Sequence, residues 1–221
     1  MQDSPAARRS SVGKLRAEFV TFYIVAPVLM AVALPPAWMF PALLTITFLG
    51  VSLLHATRGF RWRDLVRPAA PLNWRVVAIF TAITLAVSAT VMMATAPDRF
   101  FALAHQRPLF LLLIALLYPV LSALPQELVF RALFFRRYGA LLPGPVPAIV
   151  LNAALFSLAH LMYWSWIVAA MTFFGGLAFA WAYEARRNFV LALLLHSIAG
   201  WIIFALGLGI FFYSGNVTRP F

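Results

Sequence analysis

Cysteine is absent from the 221 residues. Disulfide staples, cysteine-liganded zinc and thiol nucleophiles are therefore excluded. Acidic residues are scarce as well: six Asp and Glu stand against 17 Lys and Arg, a formal net charge of +11. Only 10% of the chain is charged, 64% is hydrophobic and the mean hydropathy is +0.92. A water-soluble domain of this length could not hide apolar runs so long, whereas lipid accommodates them directly. In a soluble protein the positive excess would raise the question of nucleic acid, but here the arginines gather at the ends of apolar runs. The bilayer is the expected partner, and no nucleic-acid partner is expected.

Apolar runs of about 17 to 25 residues mark membrane-spanning helices, and they fall near 19–34, 36–56, 75–96, 108–135, 145–163, 166–183 and 189–213. The reading is an all-α, polytopic helix bundle with seven transmembrane helices. The fourth run is long, about 42 Å at 1.5 Å per residue, so Pro119 or Pro125 is expected to bend it or to end its lipid-facing part. If the N-terminus is cytoplasmic, 13 basic residues fall on that side and three, Arg99, Arg107 and Arg219, on the other, with Arg131 left inside a helix. This asymmetry predicts N-terminus in and C-terminus out.

Residues 1–18, rich in Ser and Arg without an obvious small-residue cleavage site, are read as a cytoplasmic basic tail. Residues 19–215 form a single multi-spanning membrane domain. The longest loop, 58–74, carries several arginines and is expected to lie against the inner headgroups. Asn216-Val217-Thr218 matches a glycosylation triplet, a pattern too frequent by chance to carry weight.

Against this background a few polar residues stand out. Glu127 is the only acidic residue within the apolar runs, and Arg131 follows it one helical turn later. A carboxylate inside a membrane helix is costly unless it faces a partner or water, which makes it a candidate for function. The bland alternative is a structural ion pair at i,i+4 that locks the fourth helix into the bundle. Asn152, Phe156 and His160 recur at intervals of four in the fifth run, a stripe that should face the protein interior. His196 lies in the seventh run with Gly200 one turn on, and glycine there favours close helix approach. Taken singly, each histidine is more readily an interhelical hydrogen-bonding group than a catalyst. Together, one carboxylate, one arginine and two histidines on three of the last four helices supply the groups needed to move protons around a water and hydrolyse a peptide bond.

The order Gln126-Glu127-x-x-x-Arg131, then Phe156-x-x-x-His160, then His196 in a later helix resembles the type II CAAX prenyl endopeptidase and bacteriocin-processing family of intramembrane proteases, the CPBP or Abi proteins. The resemblance covers 108–213, about half of the chain, and the first three helices add hydropathy only. It implies an intramembrane endopeptidase of a bacterial inner (plasma) membrane acting on a membrane-associated substrate. That substrate is a prenylated peptide in one branch, and a peptide or an anchored C-terminal tail in others. It also implies catalytic positions at Glu127, His160 and His196, supported by Gln126, Arg131, Phe156, Asn152 and Gly200. His160 matches the histidine that works with glutamate on the hydrolytic water, and His196 the one thought to stabilise the oxyanion.

Two positions depart from the family pattern. The family's first motif usually begins Glu-Glu, and this chain has Gln126 where the water-activating glutamate stands. A carboxamide takes no proton at neutral pH, so Gln126 can only orient water or substrate. The family often has an asparagine one turn after the later histidine, and here that place is Gly200. Losing an oxyanion donor typically costs about 2.7 to 4 kcal/mol, so another amide, Asn152 or Gln126, would have to serve. The expected mechanism has His160, with Glu127, taking a proton from water while His196 supports the oxyanion. Adjacent helical residues point about 100° apart, so Gln126 and Glu127 should not face the same way unless the helix breaks near Pro125.

No cofactor is required by this reading. Zinc, described for members of the family, would have to be assembled from His160, His196 and Glu127 on three helices, without a His-Glu-x-x-His pair to hold it. Two other functions stay open. A noncatalytic relative acting as a membrane binding or immunity protein fits the departures at Gln126 and Gly200. A proton-coupled transporter fits the buried ionisable groups, although the first half has almost nothing to mirror Glu127. Glu127 and His196 lie about 14 Å from the basic ends of their helices, which predicts a site opening toward the cytoplasm.

Overall fold

Breaks in hydropathy set the helix boundaries, and local chemistry seals them. A computed structural model describes residues 5–67, 71–217 and 219. Residues 1–4 of the expected tail, Pro68 of the long loop and Thr218 of the glycosylation triplet lie outside the described residues. Seven helices are long and apolar enough to cross a membrane: α1 Val12–Ala33, α2 Pro36–His55, α3 Trp74–Thr95, α4 Pro108–Arg137, α5 Pro145–Tyr163, α6 Trp166–Glu184 and α7 Phe189–Leu206. No strand occurs among the described residues. Proline opens α2, α4 and α5, where its missing N–H costs nothing. Side-chain caps open α3, α6 and α7: Asn73 accepts from the amides of Arg75 and Val76, Ser165 from Val168 and Asn188 from Leu191.

The structure departs from the sequence reading at both ends of the bundle. The first helix runs from Pro5 through a π-helical turn at Thr21–Val25 to Ala33, so residues 5–18 are helical and continuous with α1. A side-chain cluster that hydropathy does not register ties this helix to the end of α4. Glu18 accepts from Arg137 Nε, from Arg137 Nη2 at 2.9 Å and from Tyr138 Oη at 2.5 Å. Tyr138 keeps its proton for that bond, because burial and the neighbouring Glu18 carboxylate raise its pKa above the ordinary phenol value. Glu127 is therefore not the only carboxylate within a candidate span. At the other end, α7 stops at Leu206 rather than reaching 213, because Gly207 takes a left-handed conformation with φ 107°. The Leu206 carbonyl then accepts from the Phe101 amide at 3.1 Å.

Helices α5 and α6 pack together along most of their length, α7 lies against both α6 and α3, and α2 lies against the lower half of α4. Between Phe19, Tyr23, Phe134 and Tyr138 an aromatic cluster closes the end of the bundle that carries Arg136 and Arg137, with ring centroids 5.2 to 5.7 Å apart. Helix α4 changes character along its course. From 108 to 122 it is largely exposed, and from 123 to 135 almost every residue is buried. Its lipid-facing part thus ends between Pro119 and Pro125, as the prolines suggested.

Two π-helical turns, Pro119–Ala123 and Leu128–Leu133, interrupt α4 on either side of Glu127. Such widened turns are rare and recur at functional sites. In the second of them, carbonyl oxygens are taken up by side chains from neighbouring helices: Tyr23 Oη donates to Val129 O at 2.7 Å, and Asn152 Nδ2 to Phe130 O at 2.5 Å. These two donors clamp α4 to α1 and α5. Removing either should cost about 1 to 3 kcal/mol by leaving a buried carbonyl without its partner. Asn152→Leu and Tyr23→Phe are therefore expected to lower the thermal unfolding midpoint in detergent, whereas Leu109→Ala, at a residue of α4 that is 76% exposed, should leave it unchanged.

Candidate active site

The clamped turn of α4 places Glu127 and Arg131 on one face, four residues apart and both with fully buried side chains. Glu127 Oε1 accepts from His196 Nδ1 on α7 at 2.8 Å, and Glu127 Oε2 lies 3.4 Å from Arg131 Nε. The second contact joins charges without hydrogen-bond alignment. The rest of the guanidinium is compensated by π faces: it sits 4.6 Å from the Phe156 ring centroid and 5.5 Å from that of Phe179. The same two rings bound His196, which stacks on Phe179 at 4.7 Å with 9° between planes and meets Phe156 edge-on at 5.7 Å.

His160 sits at the C-terminal cap of the regular part of α5, where its ring meets Phe156 at 4.6 Å. Its Nδ1 is 2.7 Å from the Phe156 carbonyl oxygen. A carbonyl only accepts, so this nitrogen carries the hydrogen and a neutral His160 has its lone pair at Nε2. The same logic applies to His196, whose Nδ1 faces a carboxylate oxygen. Both imidazoles are thus fixed in one tautomer by their Nδ1 partners.

Beside these groups lies a cavity of about 970 Å³ bounded by all seven helices. His160, His196, Gln126, Phe156 and Gly200 line it, and Glu127, Arg131 and Asn152 do not. Gln126 and Glu127 do point apart, as helix geometry requires, and the glutamine is the one turned toward the cavity. No Asp, Glu, Lys or Arg is among its lining residues. Gln126 Nε2 donates to Ser122 Oγ at 3.0 Å, which leaves Gln126 Oε1, buried and without a protein partner, as an acceptor. The cavity extends toward Tyr163, Trp166 and Tyr213, away from the end that carries Arg136 and Arg137. This differs from the expected opening toward the basic side, because the aromatic cluster fills that end. Exposed lining residues Phe40 on α2 and Ile83 and Val87 on α3 give the cavity an edge on the outer surface of the bundle. These two helices pack on other neighbours, α2 on α4 and α3 on α7, and not closely on each other.

The sequence-expected residues are therefore brought together with altered pairings. Glu127 has His196 as its partner, not His160. Asn152 serves the α4 backbone, and Arg131 balances Glu127. Sequence reasoning missed Phe179, one of 21 phenylalanines with no pattern to mark it, and it missed Tyr118. The second was signalled: Tyr118, Ser122 and Gln126 recur at intervals of four on α4, and all three line the cavity.

Residues 107–202 match the family model described as Rce1-like, type II CAAX prenyl endopeptidase. The likeness lies in that segment. It covers somewhat under half of the chain, contains every site residue expected from the sequence, and agrees with the resemblance to the CPBP family. No curated protein and no solved structure matches the chain. In the Rce1-like segment, the buried Glu127 is the group on which two cationic or proton-bearing partners converge. Glu127→Ala should leave the Arg131 charge uncompensated in the bundle and cost about 3 to 5 kcal/mol. Thermal unfolding in detergent should register that loss, while Glu127→Gln, which keeps an acceptor for His196, should cost less.

Proposed function

We propose that the chain is an intramembrane endopeptidase that hydrolyses a peptide bond of a membrane-associated substrate admitted to the cavity. The observation that carries this reading is the pair of imidazoles on one cavity wall, each held through Nδ1, with a buried carboxylate behind His196. The protease character of the matched family supports it. So does the surface edge of the cavity between α2 and α3, through which a substrate lodged in lipid would not need to cross water.

The pairing changes the roles assigned from sequence. Glu127 touches no cavity space, so it is a positioning residue: it orients His196 and stabilises the imidazolium that forms on proton uptake. His196 Nε2 takes one proton from water, His160 Nε2 accepts a hydrogen bond from the other O–H of that water, and Gln126 Oε1 accepts from the substrate amide. The hydroxide adds to the scissile carbonyl carbon. The His196 proton then passes to the leaving nitrogen as the C–N bond breaks, which restores the neutral imidazole. Arg131 Nε, 3.4 Å from Glu127 Oε2, sets a positive charge beside the carboxylate.

The residues present do not fit a resident metal. Both Glu127 oxygens are turned to protein partners outside the cavity, and no group of three or more His, Cys, Asp or Glu side chains gathers at ligand spacing among the described residues. No step here runs through a metal.

A second reading, a noncatalytic relative that binds a membrane peptide, is favoured by one observation: the cavity-facing member of the Gln126-Glu127 pair is the amide, so no carboxylate touches the space where water would be activated. Purified protein in lipid nanodiscs, presented with fluorogenic membrane-anchored peptides with and without a prenyl group, separates the two. Cleavage is expected, and His160→Ala and His196→Ala should each reduce it about 10² to 10⁴-fold, the usual range for a positioned proton-transfer group. Peptide binding without turnover would favour the binding reading. Cleavage unchanged in His160→Ala and His196→Ala proteins would remove the histidines from the mechanism.

A further inference from the structure

Hydrolysis of a peptide bond needs a hydrogen-bond donor at the position where negative charge grows on the carbonyl oxygen, and the groups placed so far do not supply one. In their fixed neutral tautomers His160 and His196 present lone pairs at Nε2. The proton that His196 acquires is needed by the leaving nitrogen. Of the two amides near the site, Asn152 is held outside the cavity by its bond to the Phe130 carbonyl, and Gln126 spends its nitrogen on Ser122 and turns an acceptor oxygen outward.

One hydroxyl meets the requirement. Tyr118 on α4 lines the cavity, and its ring lies edge-on to His196 with centroids 6.1 Å apart. The phenol is pressed against the bare backbone of Gly200, one turn beyond His196 on α7. A Cβ built at Gly200 would fall 2.1 Å from Tyr118 Cε1 and 2.7 Å from its hydroxyl oxygen. The missing side chain at 200 is thus the space that Tyr118 occupies, and the hydroxyl lies where a short side chain on that turn would end. Ser122, one turn along α4, lines the same cavity and is held by Gln126 Nε2 at 3.0 Å, so α4 turns Tyr118, Ser122 and Gln126 toward one space.

We propose that Tyr118 is the oxyanion donor of this site, and that Gly200 is present because the phenol fills its place. The inference rests on the endopeptidase reading above. As the O–C bond to hydroxide forms, the carbonyl π electrons move onto oxygen, which accepts a hydrogen bond from Tyr118 Oη. The phenol keeps its proton. The electrons return to rebuild the carbonyl as the C–N bond breaks and His196 protonates the nitrogen.

Tyr118→Phe retains the ring against Gly200 and removes only the donor. In nanodiscs with the membrane-anchored peptide that the wild-type protein cleaves, it should lower kcat about 10² to 10³-fold, leave KM within about threefold, and leave the unfolding midpoint unchanged. Gly200→Ala should displace the phenol and lower kcat similarly, but add little when made in the Y118F background, because the donor is already gone. Wild-type cleavage with near-normal kcat in Y118F would overturn the Tyr118 role and leave the histidine mechanism standing. Losses from Y118F and Gly200→Ala that simply add would overturn it in favour of packing. A wild-type protein that binds the peptide without cleaving it would overturn both this inference and the reading beneath it.

Discussion

A carboxylate with no exposed surface organises this bundle. Glu127 takes a hydrogen bond from His196 on α7 through one oxygen and faces Arg131 on its own helix through the other. Burying one charge in a membrane-spanning helix is costly, and the cost is offset only if the partner charge and the aromatic faces around it are held in place. Phe156 and Phe179 do this from α5 and α6 by covering Arg131 and flanking His196. One buried charge thus ties together α4, α5, α6 and α7, which are the helices on which any chemistry here depends.

The backbone of α4 is shaped to allow that arrangement. Its π-helical turns on both sides of Glu127 depart from regular helix, and Tyr23 and Asn152 meet carbonyls of the second turn from α1 and α5. A polar side chain that satisfies a distorted backbone supports the site without touching what enters the cavity. Asn152 has this role, although its place on a polar stripe suggested a more direct one. At the opposite extreme, Gln126 is a neighbour of Glu127 in sequence but faces the cavity, and the 100° step of a helix is sufficient to give the two residues different tasks.

Charge is partitioned accordingly. The carboxylate–guanidinium pair of Glu127 and Arg131 lies behind the cavity wall, while no Asp, Glu, Lys or Arg side chain lines the wall itself. The end that carries Arg136 and Arg137 is closed by Glu18 with Arg137 and Tyr138 and by the aromatic rings next to them. A membrane-lodged peptide entering this space would meet apolar surface first and the two imidazoles at its inner end.

Composition and hydropathy by themselves determined the all-helical, seven-span architecture, because the requirement that every backbone polar group be satisfied in lipid leaves a helical chain of this hydropathy few alternatives. Spacing along single helices likewise made Glu127, Arg131, Asn152, Phe156, His160 and His196 legible as inward-facing, since i,i+4 neighbours share a face. Pairings between helices were not legible. That Glu127 reaches His196 rather than His160, that Phe179 walls the site, that Tyr118 fills the gap left by Gly200, and that Glu18 closes on Arg137 all depend on helix rotation and packing. These contacts join residues tens of positions apart, and only the tertiary structure decides them, because which faces meet is set by the fit of whole helices and not by any local pattern.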